Sequence, residues 1–283
     1  MSIKRCKPFL GTYVEIHIID AGKTTDLEAA IDQAYAVVKK ISNLMSFHLP
    51  HSDLTKINQQ ACSHHVEIDP STFQVLTFAK DLFKVTRGAF DCAVAQYLQA
   101  QGLLPTCANM MKNEVKTAQP TYHSLDHLHL GPQLNVHFTK PLSLDLGGIA
   151  KGYAVDQACE VLRSCGVEAA CVNAGGDLRI FGAQDTAIHI RNPRQPQQLI
   201  HAGQLRDGAF ASSANYFTQQ YRTTESNSVL IDTRASKLIA TQKSFSVIAS
   251  TCVIADGLTK ALAVDQEPTA SYFKHYEAQA FIV

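Results

Sequence analysis

The stretch EAACVNAGGDLRIFGA, residues 168–183, restricts this chain more than any other. Two apolar runs flank Ala174-Gly175-Gly176-Asp177, and adjacent glycines in so short a connection predict two strands folded back on each other. Just upstream, Ile149, Tyr153, Ala154, Ala158, Val161, Leu162 and Cys165 recur at helical spacing, and Gly166 supplies a C-terminal stop. A helix that leads into a hairpin argues against a simple doubly wound parallel sheet.

The rest of the chain repeats this alternation. Residues 10–19 read as a strand. Leu27, Ala30, Ile31, Ala34, Val37, Val38, Ile41 and Leu44 then mark a helix with its cap in Thr24 to Asp26. Asp69-Pro70 opens a second helix, with Phe73, Leu76, Leu82 and Phe83 on its buried face and Gly88 past its end. LSLDL (142–146), AIHIR (187–191), SVLID (228–232), FSVIAS (245–250) and the closing AQAFIV (278–283) read as strands, and residues 255–264 as a helix. MSFHLPHSDLTKIN (45–58), which opens on the polar SFHLPHSD, reads as a loop between helices, and the turn-rich residues 103–134 as an insertion or flexible lobe. The expected fold class is α+β, with largely antiparallel sheet and packed helices.

With 283 residues, 46% of them hydrophobic, the chain can bury a core as one large domain or two lobes. Lys plus Arg equals Asp plus Glu at 25 each, so neither the basic surplus of a nucleic-acid binder nor an acidic tail is present. The eight cysteines form no CxxC pair and no zinc spacing with histidine, which predicts reduced thiols. No signal peptide, lipobox or membrane span is read, and a cytoplasmic location is expected.

Two stretches carry charge where backbone and helix ends are favourable to anions. In LDLGGIAKGYAVD, Asp145 precedes Gly147-Gly148, and Lys151 follows within one helical turn. This is either a strand-to-helix turn with a surface lysine or a phosphate site, since glycines admit a ligand to the backbone and helix N-termini favour anions. It is neither GxGxxG nor a P-loop, and a dinucleotide oxidoreductase lacks its fingerprint here. In ASTCVIADGLTKALAV, Asp256 is placed at the first turn of a helix, with Lys260 four residues on and on the same face. That is either an exposed ion pair or a carboxylate and an ammonium both facing a ligand.

These stretches stand in a telling order. Leu10-Gly11-Thr12, Met45-Ser46…Ser52-Asp53-Leu54…Ile57-Asn58, Gly88-Ala89-Phe90-Asp91, Asp145 to Asp156, Val172 to Asp177, and Ala255-Asp256…Ala261-Leu262 follow one another along nearly the whole chain. In this order they resemble the ApbE family of FAD:protein FMN transferases. The resemblance implies a single T-fold-like domain of two lobes, with FAD bound in a cleft between them. It implies transfer of the FMN half of FAD to a Thr or Ser hydroxyl of an acceptor flavoprotein, release of AMP, and assistance by Mg2+. Positioning and charge neutralisation carry such a step.

By the same resemblance His48, Ala89, Phe90, Asp91, Asp145, Lys151, Asp177 and Ile231 would meet the cofactor. The Gly148 carbonyl and the Asp256 carboxylate would be magnesium ligands, with Asp256 and Lys260 at the reaction centre. Three positions depart from the family pattern. Lys260 stands where a threonine is frequent, Val229 where a histidine is, and Ser212-Ser213-Ala214 replaces a turn that ends in glycine. The departures bear on catalytic strength more than on fold. They keep two alternatives open: a FAD-binding protein with little transferase activity, and a FAD pyrophosphatase.

Overall fold

A computed structural model describes residues 2–24, 26–105, 123–215 and 230–283. In chain order the elements are β1 (Ile3–Phe9), β2 (Thr12–Asp20), α1 (Leu27–Leu44), α2 (Asp53–Gln60), β3 (Val66–Glu67), α3 (Pro70–Val85), α4 (Ala95–Ala100), β4 (Leu128–Leu130) and β5 (Asn135–Phe138). Then come α5 (Ala150–Ser164), β6 (Ala169–Ala174), β7 (Asp177–Phe181), β8 (Thr186–Arg191), β9 (Leu199–Leu205), β10 (Gly208–Ala214), β11 (Ile231–Asp232) and β12 (Lys237–Leu238). β13 (Ser244–Ala249), α6 (Cys252–Asp265), α7 (Ser271–His275) and β14 (Gln279–Ile282) complete the order.

Among the described residues the main sheet has seven strands in the order β1-β2-β6-β7-β10-β13-β14. Every neighbouring pair is antiparallel. The hairpin at 174–177 is present, with Ala174 opposite Asp177 and the Asn173 side chain accepting from Gly176 N–H at 2.8 Å. Val14, Ile16 and Ile18 alternate inward along β2 and are fully buried in the main core under α1, α5 and α6. On the other face Ile180 and Phe210 meet Ile188 and Ile190 of the β8–β9 hairpin in a smaller cluster. β1 forms one edge and carries Lys4, Arg5, Lys7 and Pro8, with its lysines paired to Glu15 and Asp32.

The helix starts follow capping chemistry. Asp26, Ser52 and Asp69 accept from Ala29, Thr55 and Ser71 N–H groups at 2.9, 3.0 and 2.8 Å. α6 is capped from elsewhere: the Asp156 carboxylate of α5 accepts from Cys252 N–H at 2.9 Å and Val253 N–H at 2.8 Å. Asp156 also pairs with Arg179 of β7 at 3.1 Å, so one buried acid ties two helices to the sheet.

Several expectations are corrected. LSLDL forms no strand pair among the described residues; the Asn58 amide holds Leu144 instead, donating to its carbonyl at 2.9 Å and accepting from its N–H at 2.8 Å. Asp53–Gln60 is a helix, because Ser52 supplies a cap and Leu54 and Ile57 a buried face that the preceding polar run obscured. Residues 123–134 are no loose insertion: Leu125 and Leu128 are fully buried, and β4 pairs with β5 in a three-stranded sheet. The intervening 106–122 lie outside the described residues. Ser212-Ser213-Ala214 is strand rather than turn, with Ala214 opposite Ser244. Phe73 and Phe83 are only half-buried, and Val75 and Ala79 complete the inner face of α3. No helix among the described residues is long and apolar enough to cross a membrane.

α5 and α6 approach closely at Gly152. A Cβ there would stand 2.3 Å from the Cys252 carbonyl oxygen and 2.9 Å from Asp256 Cβ. Gly152→Ala is therefore expected to destabilise the fold by at least about 1–3 kcal/mol. Gly131→Ala, whose methyl would meet its nearest neighbour at 3.7 Å, should change stability little. Thermal unfolding of the two variants checks the contrast.

Candidate active site

The Gly152 contact brings the start of α5 against the second turn of α6, and Asp256 sits at that junction. Its side chain is fully buried. Oδ2 accepts from Gly152 N–H at 3.1 Å and faces Lys151 Nζ at 3.5 Å. Oδ1 accepts from Lys260 Nζ, which also donates to the Asp256 carbonyl at 3.1 Å. Lys151 Nζ in turn meets Asp177 Oδ2 at 2.6 Å, at the foot of the Gly-Gly hairpin. Two acids and two ammonium groups thus form one charge-balanced knot. Both lysine side chains remain about a quarter exposed, at 27% and 26%, so the knot opens to solvent on its cationic side.

The electrostatics follow from this arrangement. Burial alone would raise the Asp256 carboxyl, but the Lys151 and Lys260 charges outweigh it and hold it below the usual range. Asp177 goes the other way: burial and the charge of Asp256 raise it despite Lys151. Burial works against the Lys151 ammonium, yet Asp177 and Asp256 hold it firmly protonated.

The expectation that Asp256 is an exposed helix-start carboxylate is overturned. α6 begins at Cys252 rather than Ala255, which moves Asp256 one turn inward. Lys260 does lie on the same face, as its four-residue spacing requires. Thr259 points elsewhere: its hydroxyl donates to the Asp256 carbonyl at 2.7 Å and receives Ser213 Oγ at 2.7 Å.

The loop 142–149 brings in Asp145 and Gly148. Asn58 clamps Leu144, and Asp145 N–H donates to the Cys92 carbonyl at 2.8 Å. The Asp145 carboxylate accepts from Gly147 N–H at 3.3 Å. Burial raises its pKa, against the pull of that N–H and of His48, Lys151 and Lys260. Gly148 lies against the Lys260 stem, with a Cβ position 3.2 Å from Lys260 Cε. His48 is exposed at the rim, its ring edge-on to Phe47.

Ala89, Phe90, Asp91 and Ile231 form a neighbouring group. Phe90 and Ala89 are buried in the core, and their N–H groups donate to Thr86 at 3.0 and 3.2 Å. Asp91 and Ile231 line a cavity of about 160 Å³ with Tyr97, His123, Thr233 and Arg234. Burial pushes the Asp91 carboxyl up to about 7, against the N–H groups of Ala93 and Leu125. The segment after Leu230 straps this turn down. Thr233 Oγ1 donates to the Ala89 carbonyl at 3.3 Å, and Arg234 donates to the Thr86 and Arg87 carbonyls at 2.7 and 3.0 Å. The bond from Asp145 N–H to Cys92 links this group to the charged knot.

The structure thus brings Asp145, Gly148, Lys151, Asp177, Asp256 and Lys260 together in one place. Sequence reasoning gave no role to Asn58, Asp156, Thr233 or Arg234. The first two were visible as polar residues closing the IN and GYAVD motifs, and the last two follow the Ile-Asp pair directly. Val229 lies outside the described residues.

Magnesium does not fit the donors as they stand. Both Asp256 oxygens already accept N–H groups, and Lys260 packs its stem on Gly148 while its ammonium holds that carboxylate. Magnesium demands near-octahedral oxygen coordination. No group of three or more His, Cys, Asp or Glu side chains among the described residues is arranged to hold a metal.

Residues 10–282 match the ApbE family model, and the chain belongs to the ApbE family. A FAD:protein FMN transferase of Vibrio cholerae is 26% identical over 268 residues, covering 91% of this chain and 79% of that protein. One from Haemophilus influenzae is 27% identical over 279 residues, covering 92% and 80%. A mutant of flavin transferase ApbE from Vibrio cholerae superposes with a TM-score of 0.82 at 23% identity, covering 100% of this chain and 93% of that one. The ApbE protein of Thermotoga maritima gives 0.81 at 24% identity, covering 100% and 94%. These likenesses bear out the α+β fold.

Two outcomes are expected. Asp256→Ala leaves two ammonium groups and a buried N–H without their shared partner. It should cost about 3–5 kcal/mol of stability, read as a fall in Tm, in addition to any loss of activity. Asp91 keeps its proton in the folded state up to about pH 7, whereas its ordinary value is 3.8. The folded form therefore binds more protons across that window, and stability attributable to Asp91 falls as pH rises through it, then levels off. The Tm of Asp91→Asn relative to wild type should climb from about pH 4 to about pH 7 and stay flat above. A difference that does not vary with pH would remove Asp91 from the titration.

Proposed function

We propose that this chain transfers the FMN moiety of FAD to a Thr or Ser hydroxyl of an acceptor flavoprotein, releasing AMP. The observation that carries the reading is the charged knot. Two ammonium groups, each held by a buried acid and each on a side chain about a quarter exposed, stand near Asp145 and Gly148.

In the step proposed, the acceptor hydroxyl oxygen bonds to the FMN-side phosphorus. The bridging P–O bond breaks, and AMP departs with its electron pair. The hydroxyl proton is released as the new phosphoester forms. Negative charge builds on the bridging oxygen, and nearby fixed cations stabilise it without reorganising. Lys151 and Lys260 supply that charge. The Gly147-Gly148 segment lets the diphosphate approach the start of α5, where the helix dipole favours anions. In this reading Asp145, Asp91 and His48 meet the polar edges of the flavin or the nucleotide. Asn58 and Arg234 act as positioning residues, through Leu144 and the 86–91 turn respectively.

The test is to mix the purified chain with FAD and candidate acceptor flavoprotein subunits, with and without magnesium. Covalently fluorescent acceptor and AMP in equal amounts are expected. AMP and free FMN in equal amounts without any labelled acceptor would instead indicate hydrolysis of FAD. Intact FAD in every mixture would overturn the reading.

A further inference from the structure

We infer that the Lys260 ammonium is a built-in counter-charge for the FAD diphosphate, standing where a divalent cation would have to bind, so that FAD binding by this chain does not depend on added divalent metal. The inference rests on the FAD-dependent function proposed above and goes beyond it.

The geometry supports this in three ways. First, each Asp256 carboxylate oxygen already faces an ammonium group. Oδ2 takes Gly152 N–H and faces Lys151, and Oδ1 takes Lys260. Second, Lys260 is held from two sides. Its stem packs on Gly148, and its ammonium bonds both the side chain and the carbonyl of the residue one turn before it. An ammonium has three N–H donors. Two are accounted for by Asp256, and the side chain is still 26% exposed, so a donor remains for a ligand. Lys151 has the same form, with Asp177 and Asp256 behind it and 27% of its side chain exposed. Third, a divalent ion on Asp256 would have to displace the Lys260 ammonium from Oδ1 and would stand beside the Lys151 ammonium at Oδ2. Like charges at such separations repel strongly where water is scarce. The nearby Thr259 hydroxyl, which could otherwise join a metal shell, is fully buried and committed to the Asp256 carbonyl and Ser213.

The experiment measures FAD affinity of the full chain by quenching of flavin fluorescence, in EDTA and in millimolar magnesium. Magnesium is also titrated calorimetrically into the protein without FAD. For wild type, affinities within about twofold in the two conditions and no stoichiometric magnesium isotherm are expected. Lys260→Thr should lose about tenfold or more in FAD affinity in EDTA, because a charge-assisted contact is gone. It should regain affinity in magnesium, because an oxygen-only site is then open. Wild-type binding that rises more than about tenfold with magnesium, or a one-to-one magnesium isotherm, overturns the inference and leaves the proposed transfer intact. A folded Lys260→Thr protein that binds FAD in EDTA as wild type does overturns it too. Failure to bind FAD in either condition overturns both readings. If the variant does not fold, the wild-type comparison decides alone.

Discussion

The arrangement at the centre of this protein depends on one buried carboxylate with three nitrogen neighbours. Asp256 is fully enclosed, and an ionised acid there is tolerable only because Gly152 N–H and two lysines reach it. That in turn requires α5 and α6 to touch, and only a residue without a side chain allows it at position 152. Asp156, one turn further along α5, fixes the same two helices by capping the first N–H groups of α6. The functional cluster and the helix packing are therefore one structural problem with one solution. Lys151 extends the solution to the sheet through Asp177, and Gly148 extends it to the loop before α5.

Much of this was legible in the amino-acid order. Helical spacing placed α1, α3, α5 and α6, and the paired glycines placed the β6–β7 hairpin. What could not be read was dictated by contacts distant in sequence. LSLDL has the apolar alternation of a strand, yet its neighbour is a side-chain amide 86 positions earlier, so no ladder forms. α2 is short, and its cap serine sits at the end of a polar run, so its periodicity is too brief to stand out. Asp256 looked exposed because a carboxylate near a helix start is ordinarily a dipole partner. Its burial comes from α5, which no local pattern reveals. The candidates Asp145, Gly148, Lys151, Asp177, Asp256 and Lys260 emerged from the order of motifs rather than from any one of them.

The two parts of the site differ in character. The charged knot is held by ion pairs on regular elements, which fixes the lysines closely. The 86–91 turn leaves α3 through Arg87 and Gly88, both at positive φ, and depends on Thr233 and Arg234 from a distant segment to stay in place. Arg234 also pairs with Asp265 at the end of α6, so the helix that carries Asp256 and Lys260 is tied at its far end to the strap over the Asp91 cavity.

The charged edge strand has a bearing on how an acceptor polypeptide is received. β1 presents Lys4, Arg5 and Lys7 along its length, and Pro8 lacks the N–H that a further strand would need. Such a rim discourages another chain from adding itself to the sheet. A polypeptide that meets this edge would do so through its side chains rather than by extending the backbone ladder along β1.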